Sequence, residues 1–275
     1  MGQSTLFIVA TPIGNLEDIS YRAARVLAEV DLVAAEDTRR TGMLLKHLGV
    51  DTPMRALHDH NESRAAAGLL DIVEKGGAVA LVSDAGTPLI SDPGYRLVSL
   101  ARERGLAVQA VPGPSALTTA LSVCGLPTDR FTFEGFLSAK PAARSKQLAA
   151  LAHEPRTMVF FESSHRIQDA LAAMAKVFGA DRPAALCREL TKTFETVLDG
   201  TLETITEKVN ADPDQRKGEF VVVIAGAPDA PDADLAQALQ LATALAEHLP
   251  TSQAARIAAN LTNTKRKTIY EALTD

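Results

Sequence analysis

The sequence predicts an α/β fold in two successive parts, followed by a small helical appendage. At 275 residues the chain is longer than one small hydrophobic core usually supports, which favours more than one domain. Apolar residues make up 46% of the chain with no Trp, so the core must consist mainly of Ala, Val, Leu and Ile, as suits helices that cover a parallel sheet. Short apolar runs alternate with longer amphipathic ones, the pattern of repeated strand–helix units.

The first part, residues 1–118, predicts five strands that alternate with helices. The predicted strands are residues 6–10, 32–35, 54–57, 78–82 and 107–111. The predicted helices are residues 21–30, 38–48, 62–74, a segment from Pro93 to about residue 104, and one opened by residues 112–115. The strand at 78–82 is the clearest, because it is a continuous apolar run that ends at Ser83. Gly49 follows the second helix, where a left-handed cap is expected.

The second part, residues 119–227, starts a new sheet. Its predicted strands are residues 131–137, 157–161, 184–187, 194–198 and 219–225, and its predicted helices are residues 142–153, 166–178 and 201–210. Several connections are too short for a crossover helix, so we expect mixed strand directions. Residues 227–234 predict an acidic, proline-containing linker. Residues 235–275 then predict an appendage of three short helices, in which Thr251 or Ser252 caps a helix-turn-helix segment.

Three loops that follow predicted strands combine Gly with Pro, at residues 11–18, 83–94 and 111–115. In open α/β sheets, ligands bind at the carboxyl ends of the strands, on such loops. Neither the dinucleotide fingerprint nor the phosphate-binding Gly-x-x-x-x-Gly-Lys-Ser/Thr pattern is present. Any one loop alone is explained as a turn. Three together, with Asp84 and Asp92 in the longest, favour a site for a nucleoside cofactor without phosphates.

Seven motifs resemble the tetrapyrrole-methylase superfamily. Its N-terminal half is matched by VATPIGNLEDIS at 9–20, AAEDTRRT at 34–41, SDAGTPLISDPG at 83–94 and VPGPSAL at 111–117. Its C-terminal half is matched by FFESSHRI at 160–167, CRELTKTFE at 187–195 and GEFVVVIAG at 218–226. In this wording the motifs are similar to one branch, the enzymes that methylate the ribose 2′-hydroxyl of a cytidine in 16S ribosomal RNA.

The resemblance implies the class III methyltransferase fold, with S-adenosylmethionine in the cleft between two α/β domains. It also implies a homodimer that acts on 16S ribosomal RNA in the small subunit. A cytoplasmic location is predicted separately, because the chain has only two cysteines and they lie far apart in apolar sequence. The family's cofactor contacts carry over to Pro12, Asp84, Ala85, Gly86, Pro88, Leu89, Ile90, Ser115, Ala116, Phe161, Leu190 and Gly226.

Methyl transfer to a ribose hydroxyl is an in-line displacement that depends on alignment and benefits from a general base. The catalytic candidates in the matching motifs are Asp37, Glu162, Glu189 and Lys192, with His165 beside them. We hypothesise that Glu189 or Lys192 handles the proton. Two alternatives stay open: Asp37, or Glu36 before it, caps the next helix instead, and Glu189 forms a structural ion pair with Arg188.

Basic residues supply the candidate RNA contacts: Arg39, Arg166, Arg188, Lys265, Arg266 and Lys267. The net charge of −6 argues against nonspecific coating of nucleic acid and favours a local basic surface. Residues 251–270 contain no acidic residue. A solvated charge run on a stability or dimer element is the alternative, and the preceding domains favour the RNA contact. His58 and His60 lack a clear third ligand, so we predict no metal site.

Two other functions compete with RNA methylation. A methyltransferase acting on a tetrapyrrole precursor needs a wide apolar pocket and no basic appendage. A non-catalytic nucleotide-binding or RNA-binding module would not need so many Gly/Pro loops in one frame. Cys124 and Cys187 predict reduced, buried thiols.

Overall fold

The computed structural model describes residues 4–58, 62–228, 231–262 and 264–274. The chain divides into two compact units. The first unit comprises residues 1–152 and 156–225, and the second comprises residues 153–155 and 226–275. Both sheets belong to the first unit, so the predicted domain boundary after residue 118 stays a prediction.

The first sheet is parallel throughout, with the strand order β3-β2-β4-β1-β5. Its strands are β1 (Thr5–Val9), β2 (Leu32–Ala35), β3 (Met54–Ala56), β4 (Ala78–Val82) and β5 (Ala107–Val111). The helices of this part are α1 (Tyr21–Glu29), α2 (Thr38–Leu48), α3 (Glu62–Glu74), α4 (Tyr95–Glu103) and α5 (Ala116–Val123). One apolar layer packs α1 and α2 on one face, and another packs α3 and α4 on the other face. Gly49 ends α2 with φ of 67°, which confirms the predicted cap.

The second sheet has the order β6-β7-β10-β8-β9. Its strands are β6 (Phe131–Phe136), β7 (Thr157–Ser163), β8 (Pro183–Arg188), β9 (Thr196–Thr201) and β10 (Glu219–Ile224). The strand β10 runs antiparallel to β7 and β8, whereas β6 and β7 are parallel, so the predicted mixed directions are confirmed. The helices α6 (Pro141–Ala150), α7 (Ile167–Phe178) and α8 (Leu202–Ala211) pack with one face of this sheet. On the other face, Val159, Cys187 and Val221 pack against Ala120 and Cys124 in and beside α5.

The second unit is a three-helix cluster of α9 (Pro231–Ala246), α10 (Thr251–Leu261) and α11 (Arg266–Thr274). Small buried side chains and one Ile let the helices approach closely: Ala238, Ala242, Ala255, Ala258 and Ile269. None of the helices in the described ranges is long and apolar enough to cross a membrane.

Two predictions for this unit are wrong. The helix α9 begins at Pro231, so the linker is shorter than residues 227–234, because Pro is tolerated in a first helical turn where no N–H donor is needed. Neither Thr251 nor Ser252 caps α10. They are its first two residues, Pro250 occupies the cap position, and no side-chain cap bond forms.

Candidate active site

A cavity of about 400 Å³ lies at the carboxyl ends of strands from both sheets. Loops that follow β1, β2, β4 and β5 form one wall. The ends of β6, β7 and β8 form the other wall, together with the start of β10, which reaches the same edge because it is antiparallel to β7 and β8. A cavity of this size accommodates a nucleoside-sized ligand.

Strained backbone borders this cavity. In the part of the chain that the structure describes, the non-glycine residues with positive φ are Leu89 (73°), Ser91 (67°), Glu189 (50°) and Thr191 (67°). Two belong to the loop after β4 and two to the loop after β8. Such conformations persist only where the surroundings impose them, and they concentrate at functional sites.

Backbone and carboxylate contacts tie the loops of the first sheet together. The Asp84 N–H donates to Glu36 Oε2 at 3.2 Å, and the Asp37 N–H donates to Asp84 Oδ1 at 3.0 Å. The Arg40 guanidinium lies 3.4 Å from Asp84 Oδ2. Because Glu36, Arg40 and Asp84 all line the cavity, the predicted cofactor residue Asp84 is held in place at its wall.

A reciprocal pair of backbone hydrogen bonds joins the loops after β1 and β4. The Thr11 N–H donates to the Gly86 carbonyl at 2.9 Å, and the Gly86 N–H donates to the Thr11 carbonyl at 3.0 Å. Gly86 has φ of 81° and itself lines the cavity. The loop can therefore present backbone groups to a ligand.

Asp37 serves as the N-cap of α2, the alternative that the sequence left open. Its carboxylate accepts from the Arg39 N–H at 2.8 Å and pairs with the Arg39 guanidinium at 2.6 Å. These contacts, the side-chain hydrogen bond above all, hold the pKa of Asp37 well below its usual range. A carboxylate so engaged is a poor base, and Arg40 rather than Arg39 lines the cavity.

Most of the predicted cofactor contacts line the cavity: Asp84, Ala85, Gly86, Ile90, Ser115, Ala116, Phe161 and Leu190. Pro12, Pro88 and Leu89 lie in the same loops but do not line it. Gly226 follows β10 at the end of the strand opposite to Gly218 and Glu219, which do line it. The assignment of these residues to a cofactor stays a prediction.

Lys192, in the loop after β8, bridges two carboxylates, one from the same loop and one from β10. Its ammonium lies 2.8 Å from both Glu189 Oε1 and Glu219 Oε2. Burial alone would lower the pKa of Lys192, but hydrogen bonds to Glu189 and Glu219 outweigh it and raise the pKa. Burial would likewise raise the pKa of Glu189, but the bond from Lys192 and the Glu219 N–H at 2.9 Å lower it. At neutral pH the two residues are therefore a charged pair.

Arg188, predicted to contact RNA, has a structural position instead. Its side chain is buried, and its guanidinium donates to the carbonyls of Lys217 at 2.8 Å and Phe194 at 3.0 Å. These bonds hold the β8–β9 loop against the segment before β10. A buried guanidinium that donates to backbone carbonyls is not presented to phosphates at the surface, and the salt-bridge partner of Glu189 is Lys192.

Glu162 lines the cavity, and its carboxylate is buried behind this wall. Its side chain is 1% exposed, and Oε1 accepts from the Ser163 N–H and pairs with Arg166, each at 2.8 Å. Oε2 is buried and has no hydrogen-bond partner within the described ranges. A buried acceptor without a partner is costly, and it marks a position where a ligand group can bind.

Arg166 is committed to this wall. It also donates to the Leu137 carbonyl at 3.0 Å and to Ser163 Oγ at 3.2 Å. Its predicted role in holding phosphate is therefore weakened, because three local acceptors already engage its guanidinium.

Cys187 also lines the cavity, and burial raises the pKa of its thiol to about 12. The thiol is thus neutral at physiological pH, and a covalent role for it is disfavoured. No group of three His, Cys, Asp or Glu side chains that could hold a metal occurs among the described residues, and His60 lies outside them.

Lys265, Arg266 and Lys267 are exposed at the start of α11, where Lys267 lies 3.8 Å from Glu271. Their predicted role in RNA binding stays a prediction.

Sequence reasoning missed Arg40, Phe136 and Glu219 as cavity residues. Arg40 and Glu219 lie inside the motifs AAEDTRRT and GEFVVVIAG, so the family resemblance could have found them. Phe136 carried no such signal.

Known proteins resemble this chain over nearly its full length. Residues 5–206 match the family described as Tetrapyrrole (Corrin/Porphyrin) Methylases, and residues 232–275 match the RsmI C-terminal HTH domain. Relatives named ribosomal RNA small subunit methyltransferase I include one from Xylella fastidiosa, 55% identical over 97% of both chains. Another, from Pseudomonas aeruginosa, is 50% identical over 98% of this chain and 97% of its own.

Solved structures share the fold. Cobalt precorrin-4 methyltransferase has a TM-score of 0.58 at 16% identity and covers 81% of this chain and 95% of its own. Uroporphyrin-III-C-methyltransferase from Thermus thermophilus has a TM-score of 0.55 at 21% identity, with 81% and 94% covered. At such identities the likeness confirms the predicted fold alone.

Proposed function

Because the chain belongs to the tetrapyrrole methylase family, and within it to the group of the ribosomal RNA small subunit methyltransferase I relatives, we propose that it methylates the 2′-hydroxyl of a cytidine ribose in 16S ribosomal RNA, with S-adenosylmethionine as donor. The observation that carries the proposal is the cavity at the strand ends of both sheets, together with 55% identity to a relative of that name over 97% of the chain.

The cavity residues fit this donor, a phosphate-free nucleoside with a cationic sulfonium that supplies an electrophilic methyl group. Glu36 and Asp84 place carboxylates on the wall, where they can accept from ribose hydroxyls or an ammonium and attract positive charge. The loop from Ala85 to Thr87 offers backbone groups beside them.

Glu162 is our candidate for the proton acceptor. Lys192, one of the two residues favoured from the sequence, is held in its charged form and has no free pair to accept a proton. Glu189 is ionised, but it does not line the cavity, and its carboxylate is engaged by Lys192 and by the Glu219 N–H. Glu162 lines the cavity and its Oε2 has no donor among the described residues, but Oε2 is buried, so the side chain must turn toward the cavity to accept from the ribose hydroxyl. General-base assistance is typically a factor of about 10²–10⁴ in rate. The Lys192–Glu189 pair then serves to position the wall.

The same relationship supports a proposal for the substrate and the assembly. With a net charge of −6 the chain must meet RNA through local basic groups, for which we propose the exposed Arg39, Lys265, Arg266 and Lys267. We also propose a cytoplasmic location and a homodimer that acts on the small subunit. Sedimentation of the purified protein will test the dimer, and sedimentation of its mixture with subunits will test the contact with the subunit.

The deciding assay offers labelled S-adenosylmethionine with small subunits that lack the modification, and in parallel with a tetrapyrrole precursor. We expect label in RNA as 2′-O-methylcytidine. Label found only in the tetrapyrrole would overturn the proposal and support the competing function on the same fold.

A second assay addresses the proton acceptor. Glu162→Gln should lower the single-turnover rate while calorimetry finds donor binding unchanged. Glu207→Gln, at an exposed position on α8, is the control and should leave both unaltered. A wild-type rate for Glu162→Gln would remove Glu162 from the reaction.

A further inference from the structure

Phe136 combines a position on the cavity wall with unusual exposure. It ends β6, lines the cavity, and is 50% exposed, although it is a large apolar side chain. Isolated exposed apolar residues are ordinary on protein surfaces, so exposure alone carries no argument. The informative features are the orientation that the fold gives the Phe136 ring and the groups that hold it there.

A β-bulge turns Phe136 toward the cavity. Phe133 pairs with Val159, but the register then shifts, and Gly135 and Phe136 pair with Phe160 and Phe161. Without the extra residue, Phe133 and Phe136 would lie on opposite faces of the sheet, since side chains alternate along a strand. With it, both lie on the face of Val159 and Phe161. Bulges next to active sites commonly re-aim a side chain in this way.

Gly135 makes the bulge possible. Its φ is 64°, in the left-handed region that favours glycine, and a Cβ added there would lie 3.4 Å from Ser91 Oγ. Ser91 belongs to the strained loop after β4. The bulge therefore meets the opposite wall of the cavity closely.

Neighbouring groups hold the ring in place. Phe161 contacts Phe136 edge-on, with ring centroids 5.7 Å apart, and Phe133 contacts Phe161 in turn at 4.8 Å. The Arg166 guanidinium lies over the Phe136 ring, 6.0 Å from its centroid, and is itself anchored to Glu162. A rigid, supported aromatic ring that is left half exposed at a cavity is the arrangement that stacks on an unpaired base.

We propose that Phe136 is the stacking platform for the base of the target nucleotide, held at the end of β6 against Phe161, the residue that precedes Glu162 on β7. This inference rests on the proposed RNA methylation and adds to it a residue that selects and positions the substrate. It concerns the base and not the methyl donor, and that separation makes it testable.

The first test compares substitutions at Phe136 and Phe131. Phe131 lies on the same strand and face, is 40% exposed, and does not line the cavity, so Phe131→Ala is the matched control. We expect Phe136→Ala to lower kcat/KM for small subunits roughly 5- to 150-fold, the range found for loss of base–aromatic stacking. Phe136→Tyr should restore most of it, whereas Phe136→Leu should not.

Donor affinity separates the alternatives. The dissociation constant of S-adenosylmethionine, measured by calorimetry without RNA, should stay unchanged in Phe136→Ala. Donor binding weakened in proportion to turnover would overturn the proposal and make Phe136 a donor contact. Equal turnover of Phe136→Ala and wild type would overturn it as well. Failure of the proposed function is distinct, because then the wild type itself methylates no RNA and the inference falls with it.

A second readout does not depend on turnover. The chain has no Trp, so Phe136→Trp introduces a single indole at the cavity and Phe131→Trp a single indole at the other end of the strand. A short cytidine-containing RNA with the sequence around the methylated site should quench the emission of Phe136→Trp and leave that of Phe131→Trp unchanged. Quenching of both, or of neither, contradicts the proposal.

Discussion

The loop after β1 approaches the loop after β8 at Gly14, and this approach allows a quantitative prediction. A Cβ added at Gly14 would lie 2.4 Å from Lys192 Cγ and 3.0 Å from both Lys192 Cε and Thr191 Oγ1. Carbon atoms in contact prefer about 3.5–4.0 Å, so Gly14→Ala must displace the Lys192 side chain by more than about 1 Å. Thr191, with φ of 67°, leaves the backbone little freedom to follow.

Displacing Lys192 breaks its contacts with Glu189 and Glu219, each 2.8 Å long. Overpacking of this kind costs about 1–3 kcal/mol of unfolding free energy. For a protein of this size we expect Tm to fall roughly 2–4 °C for each kcal/mol. Urea unfolding followed by circular dichroism measures the free energy directly, and the methyl-transfer rate should fall with it because the cavity wall moves.

Two comparisons isolate the clash. Gly68→Ala, in the helix α3, adds a Cβ whose nearest neighbour is Arg55 Nη1 at 3.6 Å, an ordinary contact distance. It should therefore be neutral or stabilise the protein by up to about 1 kcal/mol. In a Lys192→Ala background the clash with Cγ is absent, so Gly14→Ala should cost much less there. An unchanged cost in that background, or wild-type stability of Gly14→Ala alone, would refute the reasoning.

Three further predictions concern residues that line or border the cavity. Lys192→Met should lower the free energy of unfolding by a constant amount between about pH 6 and 9, because the pKa of Glu189 is lowered from 4.5 and the pKa of Lys192 is raised from 10.5. The difference in stability between variant and wild type should shrink when acid protonates Glu189, and also when alkali above the raised pKa deprotonates Lys192. Urea unfolding at a series of pH values measures this difference. Cys187, with its thiol pKa near 12, should resist a disulfide reagent at pH 8 until the protein is unfolded, and rapid native reaction would contradict its burial. Gly135→Ala should cost about 1–2 kcal/mol through its positive φ, Gly135→Asn less, and equal stability of all three proteins would argue against the bulge.

Local patterns predicted most of the fold. The apolar run of β4, the amphipathic spacing of α2 and the cap at Gly49 depend on neighbours in the chain, and the structure has them as expected. The errors fell at element ends. Pro231 was interpreted as part of a linker although it opens α9, because proline is compatible with both.

The candidate site was predicted as a set of loops and not as a set of contacts. Eight of the twelve expected cofactor residues line one cavity, since carboxyl ends of parallel strands meet at one edge of a sheet. Asp37 and Arg188 have the residue types of a site, yet one caps a helix and the other binds buried carbonyls. Residue type does not reveal such commitments.

By itself, the sequence determined the two-part α/β frame, the positions of its ligand-binding loops and the family, because these follow from short-range periodicity and contiguous motifs. Only the tertiary structure decided that Lys192 is held charged between Glu189 and Glu219, that Glu162 keeps an oxygen without a partner in the described structure, and that a bulge turns Phe136 into the cavity. The physical reason is that pairing, burial and register depend on distances between segments remote in the chain, and folding alone sets those distances.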